Sequence, residues 1–246
     1  MSELAIIGGT GLTDLAGLEI THRQILHTPY GETSSPIIHG RYGGQAILFL
    51  ARHGARHTIP PHRVNYRANI WCLKELGVQR VIAIAAVGGI HRRLQPPDLV
   101  IPHQLIDYTW AREHTFFAED RNQVTHIDFT QPYCERLRER LLAAAQQVNF
   151  VVHSQGVYGA TQGPRLETAA EIDRMERDGC DIVGMTGMPE AALARELDLC
   201  YATCAVVSNQ AAGRTPQPIT LAEIEANLTE GIEHVRQLLV KVIQLL

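Results

Sequence analysis

Apolar residues along this chain follow two periods, and the two alternate. Continuous apolar runs of strand length stop at glycines or polar residues: "LAIIGGTG" from Leu4, "AILFLARHG" from Ala46, "RVIAIAAVGGI" from Arg80, "CDIVGMTG" from Cys180 and "CYATCAVVSN" from Cys200. "DLVIPHQLIDYT" from Asp98 and "GVYGATQGPRLE" from Gly156 read as further strands. Runs without polar alternation suit strands covered on both faces. Between them the spacing is helical. "RANIWCLKELG" places Ile70, Trp71, Leu73 and Leu76 on a helix that Gly77 stops. "CERLRERLLAAAQQ" gathers Leu137, Leu141, Leu142 and Ala145 on one face. "TAAEIDRMERDG" is a helix, "PEAALARELD" is one with proline at its start, and a long last helix opens with a capping box of Thr220 and Glu223. Apolar strands alternating with helices predict an α/β sheet with both faces covered. No linker or repeat interrupts residues 1–246, which are read as one domain.

In such folds ligands bind beyond the carboxyl ends of the strands. The strand tips therefore form one candidate site: Gly8-Gly9-Thr10-Gly11, Arg52-His53, Ala86 to Gly89, Gln162 to Arg165, Met185-Thr186 and Ser208-Asn209. The "GGTG" loop offers N–H groups and a hydroxyl to an anion. It lacks the third glycine of a dinucleotide fingerprint. The Arg52 guanidinium matches a phosphate, whose oxygens it can meet two at a time. With Thr10 and Thr186 as neutral donors, the set suits a small oxyanion and has too few cations for a polyanion.

Other chemistries lose ground on the same residues. His53, His57 and His62 stand close together, but glycine and two prolines oppose the helix that metal-binding spacing would need. No metal is expected. No GxSxG elbow supplies a nucleophile. The five cysteines form no CxxC pair, and Cys200 and Cys204 in their apolar run read as buried core thiols. A site that holds phosphate and has no nucleophile of its own leaves phosphate as the attacking reagent.

Composition adds boundaries. The 246 residues are 45% hydrophobic and 20% charged with a net charge of −4, so neither nucleic acid nor a membrane surface is favoured as partner. No apolar run approaches the ~20 residues of a membrane span. A start without a basic leader predicts a soluble, reducing, cytoplasmic setting.

"IIGGTGL", "ARHG", "HTIPPHRVNYRANIWCLKELG", "GPRLET" and "VGMTGMPEAALARELDL" occur in this order across nearly the whole chain. Together they resemble the trimeric class of purine nucleoside phosphorylases and methylthioadenosine phosphorylases. The resemblance implies a single-domain α/β fold, a mixed β-sheet flanked by helices, and phosphorolysis of a purine nucleoside. It implies no cofactor, with inorganic phosphate as co-substrate. It implies a homotrimer, with a hexamer as the larger possibility. By motif, Thr10, Arg52, His53, Thr186 and the Ala86 backbone bind phosphate, and Met185 packs beneath the ribose. Glu167, Asn209 and Leu166 meet the base, and Glu167, Asn209 and His53 carry the catalytic roles. His126 corresponds to a residue that reaches a neighbouring subunit's site.

The base is read from two positions. Adenosine-type relatives carry an aspartate where this chain has Asn209 and a serine where it has Glu167. An amide can donate to a 6-oxo group while accepting from a protonated N7, and an ionised Glu167 can accept from the N1–H of hypoxanthine. Wrongly paired buried groups cost on the order of 1–3 kcal/mol each. His57, Ile219, Leu221 and Ile224 resemble a pocket for a 5'-methylthio group rather than a hydroxyl. The expected substrate is methylthioinosine, with inosine, guanosine and methylthioadenosine as alternatives within the class and a non-catalytic nucleoside-binding protein outside it.

Overall fold

The computed structural model describes residues 3–118 and 124–246. In chain order its elements are β1 (Leu4–Gly8), β2 (Glu19–Gln24), β3 (His27–Thr28), β4 (Gly31–Glu32), β5 (Ile37–Tyr42), β6 (Gln45–Ala51) and α1 (Tyr66–Glu75). There follow β7 (Arg80–Gly89), β8 (Leu99–Val100), β9 (Gln104–Asp107), α2 (Glu135–Ala145), β10 (Val152–His153) and β11 (Val157–Ala160). The chain closes with α3 (Ala169–Arg177), β12 (Ile182–Gly184), α4 (Gly187–Glu196), β13 (Cys200–Gln210) and α5 (Leu221–Ile243).

Among the described residues one mixed sheet of eleven strands dominates, with the order β10-β8-β13-β7-β1-β6-β5-β2 along its main path. β6, β1, β7 and β13 are parallel neighbours. β5 is antiparallel to β6, and β12 to β7, with β11 and β9 continuing from β12. The parallel centre brings the carboxyl ends of β1, β6, β7 and β13 to one edge, with Gly8 level with Ala51 and Val87 level with Val207. That edge is where the sequence placed its candidate tips.

Side-chain alternation divides the core into two layers. Ile7, Leu48, Leu50, Val81, Ala83 and Ala205 face α1 and α4, among Ile70, Leu73, Ala191 and Leu193. Ile6, Phe49, Ile82, Ile84, Cys204 and Val206 face α2 and α5, among Leu141, Val235 and Leu238. Each central strand is therefore largely apolar because both of its faces are covered.

Several local expectations change. The segment from Asp98 is two strands, β8 and β9, because Pro102 lacks the N–H a ladder needs. β2 and β5 escape the apolar pattern: "EITHRQ" is exposed almost throughout and is held by pairing with β5. On α2 the buried face is Leu137, Leu141 and Ala144, with Leu142 and Ala145 at its half-buried edge. At α5 only one arm of the box forms, Glu223 N–H to Thr220 Oγ1 at 3.2 Å. The full box is at α3, between Thr168 and Glu171, where Arg165 also pins the Glu171 carboxylate.

The cysteine reading needs correction. Cys204 is a buried thiol, pushed up to about 12 by burial, but Cys200 is bonded to Cys134. Pairing needs proximity that the sequence does not reveal: Cys134 N–H donates to Tyr201 O, which docks the start of α2 on the start of β13. The remaining thiols, Cys72, Cys180 and Cys204, are buried. No helix among the described residues is long and apolar enough to cross a membrane.

Candidate active site

A cavity of about 580 Å³ opens at the carboxyl edge of the central strands. Thr10, Arg52, His53, Ala86, Met185 and Thr186 line it, as do Glu167, Leu166 and Asn209. His57, Ile219, Leu221 and Ile224 close its apolar side. His126 lies elsewhere, exposed on the segment between β9 and α2, and of the predicted tips Gln162, Gly163 and Arg165 line a second cavity instead.

The first part of the wall is the loop after β1. A Cβ on Gly9 would stand 2.4 Å from the Ile84 carbonyl and 3.1 Å from Arg52 Nη1, so only glycine lets this loop lie on β7 and on the guanidinium. Thr10 follows, and its hydroxyl has no hydrogen-bond partner among the described residues. Across the cavity Thr186 is the N-cap of α4, yet its side chain makes no capping bond. The Thr10 hydroxyl and the Thr186 side chain thus face one space, and Met188, at φ −120° and ψ 141°, breaks the helical path just after the cap.

Arg52 follows β6 directly and is 1% exposed. Its Nε and Nη2 donate to the two carboxylate oxygens of Glu190, both at 2.7 Å, and Nη1 donates to Ile84 O at 2.8 Å. Glu190, on α4, is 0% exposed and also accepts from the Tyr201 hydroxyl at 2.9 Å. Burial alone would lower the arginine's pKa, but the Glu190 carboxylate outweighs it and the shift is upward. A guanidinium has five N–H donors, so each terminal nitrogen keeps one for a ligand. The sequence reading missed Glu190. A glutamate amid the alanines, methionine and proline of a buried helix start was the available signal.

His53 is set by two bonds to one residue. Its Nδ1 lies 2.8 Å from the Ile59 carbonyl, and Ile59 N–H returns to His53 O at 3.0 Å. Burial first, then the Arg52 charge, lower its pKa to about 4, against the opposing pull of the Ile59 bond. The ring is therefore neutral near pH 7. A carbonyl can only accept, so Nδ1 carries the proton and Nε2 presents a lone pair. His57 stacks obliquely on this ring at 4.8 Å, and burial lowers its pKa too.

At the far end Asn209 is 6% exposed. β13 and β7 run in register up to Val207 opposite Val87, but then Asn209, not Ser208, stands opposite Gly88. Ser208 is an inserted residue, a bulge that re-aims the side chain after it. The Asn209 amide is held by its neighbours: Nδ2 donates to Gln210 O at 2.8 Å, and Oδ1 lies 3.0 Å from Ser208 Oγ. Because Gln210 O can only accept, the amide's orientation is fixed, with one N–H and one lone pair left over. Glu167 stands before the cap of α3, and its Oε1 accepts from Thr161 Oγ1 at 2.6 Å.

Arg112, a second buried arginine, was also missed. It donates to the carbonyls of Thr161 at 3.1 Å, Gln162 at 2.8 Å, Met185 at 2.8 Å and Met188 at 2.6 Å, and to Gln162 Oε1 at 3.1 Å. It thereby ties the Glu167 loop to the Met185 turn. Among the described residues no group of three His, Cys, Asp or Glu is arranged to hold a metal ion.

The Phosphorylase superfamily model matches residues 3–244. The chain is 56% identical over 243 residues to a probable S-methyl-5'-thioinosine phosphorylase of Pseudomonas syringae pv. tomato, covering 99% of each. It is 44% identical to the 6-oxopurine nucleoside phosphorylase of Pyrococcus furiosus, covering 100% of this chain and 94% of that protein. Its structure superposes with a TM-score of 0.94 on the methylthioadenosine phosphorylase of Schistosoma mansoni in complex with adenine, at 33% identity over 100% of this chain and 92% of the other. The chain belongs to the phosphorylase superfamily, and these relatives within it are nucleoside phosphorylases.

Proposed function

We propose that this protein cleaves S-methyl-5'-thioinosine with phosphate, giving hypoxanthine and 5-methylthioribose 1-phosphate. The observation that carries the reading is the pairing of Asn209 and Glu167 on one cavity that has an apolar side. Asn209 keeps one donor for O6 and one acceptor for N7–H, and Glu167 keeps an acceptor for N1–H. A 6-amino purine would set donor against donor at Asn209 and lone pair against lone pair at Glu167.

Phosphate occupies the other end, between the Thr10 and Thr186 hydroxyls, the Ala86 N–H and the free N–H groups of Arg52. The neutral His53 accepts a hydrogen bond from the P–OH of monohydrogen phosphate at Nε2. An anionic phosphate oxygen is thereby left to form the bond to C1' as the C1'–N9 bond breaks. The electron pair passes to the purine, whose N7 takes a proton from solvent and donates it to Asn209 Oδ1 as a hydrogen bond. Met185 packs under the ribose and holds the reacting atoms together. No cofactor enters this scheme. His126, exposed on its own chain, is assigned to the site of a neighbouring copy in a homotrimer, and the cytoplasm is the proposed setting.

A second reading, inosine and guanosine as substrates, is favoured by the apolar rim itself. Leu221 is 76% exposed, so the methylthio side of a single chain is only partly enclosed. Phosphorolysis of methylthioinosine, methylthioadenosine, inosine and adenosine, measured side by side, decides among these. Methylthioinosine is expected to give the highest kcat/KM. Preference for methylthioadenosine would overturn the base reading, equal use of inosine the apolar-pocket reading, and no phosphate-dependent base release the enzyme itself.

A further inference from the structure

The base-reading carboxylate is not held by the cavity it faces. Glu167 lies in the turn between β11 and α3, and it borders two spaces, the large cavity and a second one of about 450 Å³ behind it. A glutamate in such a place has three rotatable bonds and could swing into either. One side chain meets it. Thr161, the first residue after β11, stands 2.6 Å from Glu167 Oε1 through its hydroxyl. Thr161 also borders the second space only, so its contact with Glu167 comes from behind.

The direction of this bond rests on proton counting. The Thr161 hydroxyl has one proton and two acceptors in reach, Glu167 Oε1 at 2.6 Å and Gly184 O at 3.3 Å. Gly184 O already accepts from Thr161 N–H at 2.8 Å. The short contact to the carboxylate is the stronger acceptor and takes the proton. Oε2 is left without a partner among the described residues, as the one free oxygen of the carboxylate. The threonine is itself fixed: its N–H is bound to β12's last residue, and its carbonyl accepts from Arg112 Nη2 at 3.1 Å.

We infer that Thr161 is a specificity-positioning residue, whose hydroxyl anchors Glu167 Oε1 so that Oε2 is presented to the N1–H of a 6-oxopurine. The inference rests on the base reading under the proposed function. Thr161 touches no substrate, and its effect passes entirely through Glu167. Because N1–H is present in bound nucleoside and departing base alike, loss of the anchor weakens both states and falls mainly on KM.

The test is a cycle of Thr161→Val, Glu167→Gln and the double variant, with Thr161→Ser as the conservative control. Valine keeps the shape and removes the proton. Hydrogen bonds to charged groups carry enough energy for a loss of about tenfold or more in kcat/KM. We expect Thr161→Val to lose that much with methylthioinosine through KM, with phosphate KM unchanged. Thr161→Ser should restore activity, and Thr161→Val should change nothing further once Glu167 is glutamine. Wild-type nucleoside KM in Thr161→Val, beside an impaired Glu167→Gln, would overturn the role of Thr161 alone. An equal rise in the phosphate KM, or failure of serine to rescue, would overturn it as well by marking a merely structural residue. Full activity in Glu167→Gln would overturn the base reading and this inference together.

Discussion

Arg52 and Arg112 are both buried beside the cavity, at 1% and 8% exposure, and their partners differ in kind. Arg52 meets a carboxylate on one edge and keeps N–H groups free on the other. Arg112 meets only neutral oxygens, and its donors are fully engaged with them. The first keeps donors unused, and the second holds a loop. Charge does not separate the two roles. What separates them is how many donors the fold leaves unused, and whether a counter-charge is already present.

The sharpest break in this comparison is Arg52→Ala. It strands Glu190, which is 0% exposed, as an unpaired buried charge. Urea unfolding should show a loss of about 3–5 kcal/mol, and phosphorolysis should disappear. Wild-type-like stability would mean that the ion pair does not anchor this end of the cavity. Next in size is the pH response of His53. Its folded pKa, about 4, is below the ordinary value of 6.5, so an unfolded chain binds the extra proton first. Stability from this group is complete above 6.5 and is lost as pH falls toward about 4. The loss is roughly 2–3 kcal/mol and should be missing in His53→Gln. NMR titration of Arg52→Met should also find the His53 pKa raised, since the arginine's charge is one cause of its depression.

Arg112→Met should cost about 2 kcal/mol, because it leaves several buried carbonyls unpaired. Its kinetic signature should be opposite to that of the Arg52 site: a raised nucleoside KM with phosphate KM unchanged. A matching rise in phosphate KM would erase the distinction between the two arginines. Asn209→Asp should lower the ratio of 6-oxo to 6-amino purine turnover by about tenfold or more. An unchanged ratio would show that Asn209 does not read the base. The smallest effect belongs to Leu221→Ser. At 76% exposure its contribution to methylthio over hydroxyl preference should be under about 1 kcal/mol, seen as a few-fold change in kcat/KM.

What the sequence discloses and what it hides divide along physical lines. Thr10, Arg52, Ala86 and Asn209 were legible because each lies at the tip of an apolar run, and a parallel sheet brings such tips to one edge, whereas Thr186 reaches it from β12, which runs antiparallel to β7. Glu190 was not, since its partner lies 138 positions away and helical spacing says nothing of a buried ion pair. Arg112 stands in a segment without periodicity, and its acceptors are mostly backbone carbonyls, which no residue type announces. The Cys134–Cys200 bond required the docking of α2 on β13. β2 was invisible because an edge strand held by its neighbour needs no apolar face.

The bulge at Ser208 separates what the sheet needs from what the ligand needs. Beyond it the pairing of β13 with β7 resumes, with Asn209 level with Gly88 and Gln210 with Gly89. The side chain at 209 projects from a backbone position whose geometry is set by its neighbours. On the proposed function, exchanging it alters which base is recognised while the ladder and both core layers stay as they are. On the same proposed reading, crossing between 6-amino and 6-oxo purines takes the exchange of a few tips. The framework beneath them is inherited unchanged.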